Sequence, residues 1–453
     1  MTRIHLAAFM VLATACGPTG SPREPVDPNL RVIYHNGDVL TMEVEQPIAE
    51  AIAIRGEMIE AVGSNEQILA LQDDQTTLID LAGSTLMPGF VDAHSHIFHD
   101  HRQMGLSLDE AQSLALKNGI TTLGDLFVQK GFLREMQSFE AARLLRVRTS
   151  LYLIATDNCG RPKGDWYLEY PPTHNPGEML RIGGVKIVAD GGTCGDPALS
   201  FELMPGAGNG DLFFTQSELN DLVAQVQDAG YQAAIHAIGD RAIVQALNAI
   251  ERVLEGQPNI YRHRMEHNSV IPPEQRSRYG ELGVIPVLHG QSFTCNPFGP
   301  PVPPAYREWE QAWRSLWETN PGLQIAWHSD TPYASENPMV HLLGFVSRFG
   351  LDDGELCPPP EWQRDNLLPV EQTLRVMTIQ SAYALFREDE VGSLAPNKLA
   401  DLIVLSSNPL TVESHLLGNI EVLLAVVGGT VEYCQPTHSY LCPDNMVART
   451  QTP

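Results

Sequence analysis

A (β/α)8 TIM-type barrel of the α/β class, carrying a small composite β-sandwich built from both chain ends, is the fold this sequence predicts. Three observations predict it. Eight short β-prone runs alternate with amphipathic stretches between residues 87 and 390. Residues of metal-ligand type stand in or just after several of these runs, where a barrel places its chemistry. Segments rich in short strands then flank the alternating region on both sides.

The chain opens with Arg3, an apolar run over residues 6–13 and Ala13-Thr14-Ala15, which reads as a secretory signal peptide over residues 1–15. Leu12-Ala13-Thr14-Ala15-Cys16-Gly17 resembles a bacterial lipobox, with Ala in place of Leu three residues before the cysteine. Cys16 is therefore a candidate lipidation site, and plain secretion with an incidental Cys16 is the alternative. Residues 16–30, rich in small and turn residues, read as a tether. Either reading takes the mature chain out of the cytoplasm, to a bacterial periplasm or outer surface. Export permits disulfides, and Cys434 with Cys442 is the pair closest in sequence. Cys159, Cys194, Cys295 and Cys357 are well separated and form no CxxC zinc pattern.

Next come β-prone runs at 31–34, 51–54 and 59–62, separated by Asn36-Gly37-Asp38 and Arg55-Gly56-Glu57. The same texture returns at 400–405 and 422–427, where Gly428-Gly429 signals a hairpin. Residues 31–86 and 391–435 are thus expected to form one composite β unit, with 436–453 as a tail. Between them the strand candidates are 90–92, 121–123, 150–154, 184–189, 232–236, 262–267, 284–288 and 324–327. Amphipathic stretches lie between them, as at 107–118, 217–229 and 242–254. A doubly wound open sheet is the alternative, but no Gly-rich phosphate loop follows an early strand. A Pro-rich stretch at 297–304 follows the seventh strand and reads either as a pocket wall or as a structural loop.

Composition excludes some partners. The 453 residues are 43% hydrophobic, enough for a large core, and the formal net charge is -26. Such a surface repels phosphate backbones and anionic headgroups, which argues against nucleic acid; the expected partner is a small-molecule substrate. No interior apolar run approaches the roughly 18 residues that span a bilayer, so a lipid on Cys16 is the one expected link to a membrane. Oligomeric state is not legible.

The chemistry concentrates in a few residues. Alternation along a strand puts Asp92, His94 and His96 on one face, so two imidazoles can grip one ion. His236 and His267 end the fifth and sixth runs. Asp330 follows the eighth and suits a base or acid that also binds metal. His328, two residues earlier, could touch substrate or orient Asp330, and His289 at the end of the seventh run is a second candidate substrate contact. Lys186 lies inside an apolar run, where it is either paired with Asp190 or Asp92 or carboxylated by CO2 to an anionic carbamate.

Taken together, several stretches resemble the metal-dependent amidohydrolase superfamily, and within it the third subfamily, that of the N-substituted formamide deformylases. They are residues 87–96, 184–192, His236-Ala237-Ile238-Gly239-Asp240-Arg241, Met265-Glu266-His267, Ser329-Asp330, 392–402 and Val426-Val427-Gly428-Gly429. The resemblance implies a (β/α)8 barrel with a composite β domain. It implies that His94 and His96 hold one metal, His236 and His267 a second, carboxylated Lys186 bridges them, and Asp330 is ligand and proton shuttle. The stretch 101–121 is shorter than in longer family members, whose insertion there shapes the pocket.

The expected function is hydrolysis of non-peptide, amide-like carbon–nitrogen bonds by a metal-bound hydroxide, with zinc as the default ion and Mn, Co, Ni or Fe fitting the same ligands. The same site could open an ester, lactone, carbamate or phosphotriester. Zinc-dependent deamination is disfavoured because no Glu follows shortly after His236. A non-catalytic binding lipoprotein is disfavoured because all six ligand-type residues are present.

Overall fold

The computed structural model describes residues 21–297 and 301–442, so the candidate signal peptide, Cys16 and residues 443–453 lie outside the described part. Eight strands lie in sequential order in one parallel sheet: β1 (Phe90–Ser95), β2 (Ile120–Val128), β3 (Arg148–Ile154), β4 (Leu180–Val188), β5 (Gln232–Ala237), β6 (Arg264–His267), β7 (Ile285–His289) and β8 (Ala326–His328). Each falls on one of the predicted runs. Most of their residues are buried on both faces, as strands wrapped by helices require.

Capping side chains start two of the helices. Ser107 caps α1 (Leu108–Lys117): its hydroxyl accepts the Glu110 N–H, and the Glu110 carboxylate accepts the Ser107 N–H. Lys130–Ala141 forms α2. Thr215 and Glu218 repeat the capping box on α3 (Gln216–Asp228), and α4 (Asp240–Leu254) follows β5. The apolar face of α4, with Ile243, Ala246, Leu247 and Ile250, packs in the same core as Val185, Ile187 and Ile235 of the strands. Inside the barrel, Val91, Leu126, Tyr152 and Ala234 meet Ala382, Leu385 and Val391, so the chain beyond β8 plugs the lower end. Gly184 is required there, since a Cβ would lie 2.5 Å from the Gln232 carbonyl and 2.8 Å from the Tyr152 ring.

Among the described residues no strand ladder joins β8 to β1; the Asp92 side chain and two backbone hydrogen bonds close this seam. The Asp92 carboxylate accepts the Ser329 N–H at 3.0 Å and its hydroxyl at 2.5 Å. Just above, Asp330 N–H donates to the His94 carbonyl at 3.1 Å and His96 N–H to the Thr331 carbonyl at 2.8 Å.

Strands from both chain ends build two further sheets. One holds Met58–Gly63, Ala51–Arg55, Arg31–His35 and Thr77–Asp80 in that order. The other runs Thr430–Cys434, Val422–Val427, Leu402–Leu405, Thr85–Pro88, Asp38–Leu40 and Ile48–Ala49, mixing late and early strands. Val32, Tyr34, Ile52 and Ile54 of the first share one core with Leu86, Leu402, Val404, Leu424 and Val426 of the second. The hairpin turn at Gly428-Gly429 has positive φ at both residues, 52° and 71°, as a tight two-residue connection demands. Cys434 and Cys442 are disulfide-bonded.

Two features depart from a simple reading of the sequence. Arg23, inside the tether stretch, is docked: its N–H donates to the Arg143 carbonyl at 2.8 Å and its guanidinium pairs with Glu432 at 3.2 Å. Two more disulfides, Cys159–Cys194 and Cys295–Cys357, span 35 and 62 residues. The first joins the loops after β3 and β4, and the second ties the loop after β7 to a hairpin of Gly350–Asp352 and Glu355–Cys357, so both brace the upper rim. Among the described residues, no helix is long and apolar enough to cross a membrane.

Candidate functional site

The C-terminal ends of the barrel strands bring His94, His96, Lys186, His236, His267, His289, His328 and Asp330 to one end of the barrel, where such folds build their sites. The centre of the cluster is the Nε2 atom of His94. It lies 3.1 Å from His96 Nε2, 3.3 Å from Asp330 Oδ1 and 3.4 Å from Lys186 Nζ. Asp330 Oδ1 is also 3.4 Å from His96 Nε2. On the other flank the rings of His267 and His236 are 4.4 Å apart, and His267 is 5.1 Å from His94. Donor atoms of His94, His267 and Asp330 all lie within 4.8 Å of one another, a spacing one ion can bridge.

A polar layer inside the barrel holds this cluster from below. His94 Nδ1–H donates to Glu266 Oε2 at 2.9 Å, which fixes the tautomer and leaves Nε2 with its lone pair toward the site. Glu266 is gripped in turn by Arg264, whose Nε and Nη2 donate at 2.6 and 2.9 Å, and Arg264 also reaches the Ala93 carbonyl at 2.8 Å. Alternation along β6 would send Glu266 and His267 to opposite faces. His267 adopts φ of 71°, a left-handed conformation unusual for its type, and so turns its ring onto the centre as well. Asp330 is left-handed too, with φ of 61°.

His236 Nε2 donates to the Gly191 carbonyl at 3.1 Å, leaving Nδ1 as its free nitrogen. Gly192, at φ of 127°, keeps this side open, because a Cβ there would lie 2.4 Å from Ile238 and 3.6 Å from His236. Lys186 pairs with neither aspartate. Asp190 accepts the N–H groups of Ala198, Ile238 and Gly239 at 3.0, 3.0 and 2.8 Å, and Asp92 is taken up by Ser329. His289 Nε2 donates to the Ser329 carbonyl at 3.1 Å and its ring stacks on Phe293.

Electrostatics follow from burial. Desolvation, reinforced by the Lys186 charge, pushes His94 well below the usual imidazole range and His236 down to about 4, so both are neutral donors at pH 7. Burial brings Lys186 down to about 8. Burial works against ionisation of Asp330, but the His96 hydrogen bond and the rings of His267 and His328 hold its carboxyl well below the usual carboxylate range. Four imidazoles, those of His94, His96, His236 and His267, converge with the Asp330 carboxylate and Lys186. That donor set fits a divalent cation of the zinc type.

Sequence reasoning singled out the ligand-type residues but missed three roles. Arg264 and Glu266 stand two apart in a strand buried on both sides, and that alternation was the available signal for an inward ion pair. The closure by Asp92 carries no local signal. Neither does the wall that Phe127 and Tyr333 form beside His96, at 6.3 and 5.7 Å between ring centres. The Pro-rich loop packs as a structural loop. Val302 packs with Leu199, Phe201 and Val270, while Pro301, Pro303 and Pro304 line a groove of about 570 Å³ together with Leu203 and Met204.

Comparison with known proteins agrees with this architecture. Residues 115–433 match the amidohydrolase family. The chain is 28% identical over 262 residues to N-substituted formamide deformylase of Arthrobacter pascens, covering 56% of this chain and 46% of that protein. It is 26% identical over 354 residues to protein LONG AFTER FAR-RED 3 of Arabidopsis thaliana, covering 72% of this chain and 57% of that one. The chain thus spans about half the length of the curated relatives it matches. Among solved structures, an uncharacterized metal-dependent hydrolase from Pyrococcus furiosus superposes with a TM-score of 0.69 at 18% identity, over 84% of this chain and 100% of that chain.

Proposed function

The chain belongs to the amidohydrolase family, and from that premise we propose that it is a metal-dependent hydrolase of carbon–nitrogen bonds other than peptide bonds, of the deformylase-like third subfamily. One observation carries the reading: His94 Nε2, freed by Glu266, faces His96, Asp330 and Lys186 within 3.4 Å at the barrel's catalytic end. His94, His96, His236, His267 and Asp330 are the residues that would hold the ion or ion pair, with Lys186 between them.

A divalent cation held by these residues would supply Lewis acidity toward the scissile carbonyl and toward a water near neutral pH. The rest of the chemistry belongs to the chain. Asp330, charged and partly open to the mouth, accepts a proton at a carboxylate oxygen and returns it to the departing amine. Glu266 and Arg264 keep the His94 ring from rotating. Phe127 and Tyr333 stand edge-on to the His96 ring and offer apolar surface to a substituent on the amide. Because burial brings Lys186 to about 8, its uncharged amine, the form that combines with CO2, is accessible near neutrality.

The test is metal content and turnover together. Metal-free protein reloaded with zinc in the presence of bicarbonate should take up about two equivalents and hydrolyse N-substituted formamides or anilides faster than matched chromogenic esters. Reloading without CO2 should leave metal uptake incomplete. Equal or faster ester turnover would shift the assignment to an esterase, and one firmly bound zinc with release of ammonia would make it a deaminase.

An exported, lipid-anchored location belongs to the same proposal. The support is that six cysteines pair as three disulfides, a pattern of oxidising compartments. Cys16→Ser should move the protein from the membrane fraction to the soluble exported fraction; an unchanged distribution on fractionation rules the anchor out.

A further inference from the structure

His328 ends β8 with no exposed surface, and neither of its ring nitrogens has a hydrogen-bond partner. Four imidazoles near it each hold a protein partner. His94 uses Nδ1 on Glu266, His236 uses Nε2 on the Gly191 carbonyl, and His289 uses Nε2 on the Ser329 carbonyl. His341 is held at both nitrogens, accepting the Gln291 N–H at Nδ1 and donating from Nε2 to the Ser335 carbonyl. The His328 ring stacks on His94 at 4.8 Å and 18°, and stands edge-on to His267 at 4.9 Å and 81°. It therefore bridges the two histidine flanks of the site.

A leucine would fill a comparable space without desolvating two nitrogens. A buried imidazole with both nitrogens idle penalises the fold unless something other than the protein binds it. Resting on the metal-dependent reading above, we propose that His328 is a further nitrogen donor to the metal centre, a fifth imidazole beside His94, His96, His236 and His267. The centre is then nitrogen-rich, and its cation is of the zinc, cobalt or nickel kind rather than magnesium or manganese, which prefer oxygen.

The experiment titrates zinc into metal-free protein against a chromophoric chelator, for the natural chain and for His328→Ala, His328→Leu and His94→Ala. Thermal melts are recorded with and without zinc. His328→Ala should weaken zinc binding by about ten-fold or more, the range seen when support for a metal ligand is removed. His328→Leu should melt no lower than the natural chain when metal-free, because it removes the idle nitrogens, yet should gain less on adding zinc. That crossing separates a ligand from a structural histidine. Should His328→Leu fail to fold, the cobalt-loaded Ala variant decides, through an altered visible spectrum. Zinc affinity, melting gain and cobalt spectrum all unchanged would overturn the proposal. If His94→Ala abolishes zinc uptake while both His328 variants bind normally, this inference alone fails. If the natural chain takes up no zinc, the metal-dependent reading itself fails.

Discussion

Asp330→Asn is expected to lower kcat by about 10²–10⁴-fold, or roughly 3–5 kcal/mol of barrier, while the fold persists and metal stays bound. Asparagine suits this test better than alanine for a backbone reason. Asp330 sits at φ of 61°, and Asn tolerates left-handed geometry about as well as Asp, so the turn that leads to Tyr333 is kept. The amide also retains an oxygen where Asp330 Oδ1 now stands, 3.3 Å from His94 Nε2 and 3.4 Å from His96 Nε2. What it loses is the ability to take up and release a proton. Steady-state kinetics beside elemental analysis checks this: near-natural kcat with metal retained would remove Asp330 from the proton path.

Much of the barrel and part of the site were legible because they rest on local patterns. The eight strands follow from short β-prone runs, and α1 and α3 fall on the amphipathic stretches read at 107–118 and 217–229. His94 and His96 could be read as a pair because alternation puts them on one side. The unreadable parts depend on distant or non-ideal geometry. Asp92 closes the barrel onto Ser329 across 237 residues, and nothing near either residue announces the other. Glu266 and His267 are consecutive, and alternation allows only one of them inside; the positive φ of His267 admits both. Two of the disulfides were hidden for a similar reason. Cys159 meets Cys194 and Cys295 meets Cys357 only because loops from different strands gather at one rim.

The lower end of the barrel carries the other large effect, and it concerns stability. Arg148 opens β3 and Asp401 lies in the late Gly392–Leu402 stretch, yet their buried side chains form a two-pronged pair, Nε to Oδ2 at 2.7 Å and Nη2 to Oδ1 at 3.1 Å. Asp401 Oδ1 also accepts the Gly428 N–H at 2.8 Å, so one carboxylate ties the barrel to the hairpin of the composite unit. Neighbouring pairs, Arg262 with Glu388 at 2.6 Å and Arg181 with Glu390, fasten the same segment beneath β4 and β6. Removing one member strands a buried charge. Asp401→Ala is therefore expected to destabilise the protein by about 3–5 kcal/mol, measured as a lowered urea midpoint. The double change Arg148→Met with Asp401→Leu should cost clearly less than Asp401→Ala alone, because both desolvated charges vanish together. If the double variant is as unstable as the single one, the pair is not what holds the two units together. The Gly428 hydrogen bond, lost in both variants, would then carry the effect.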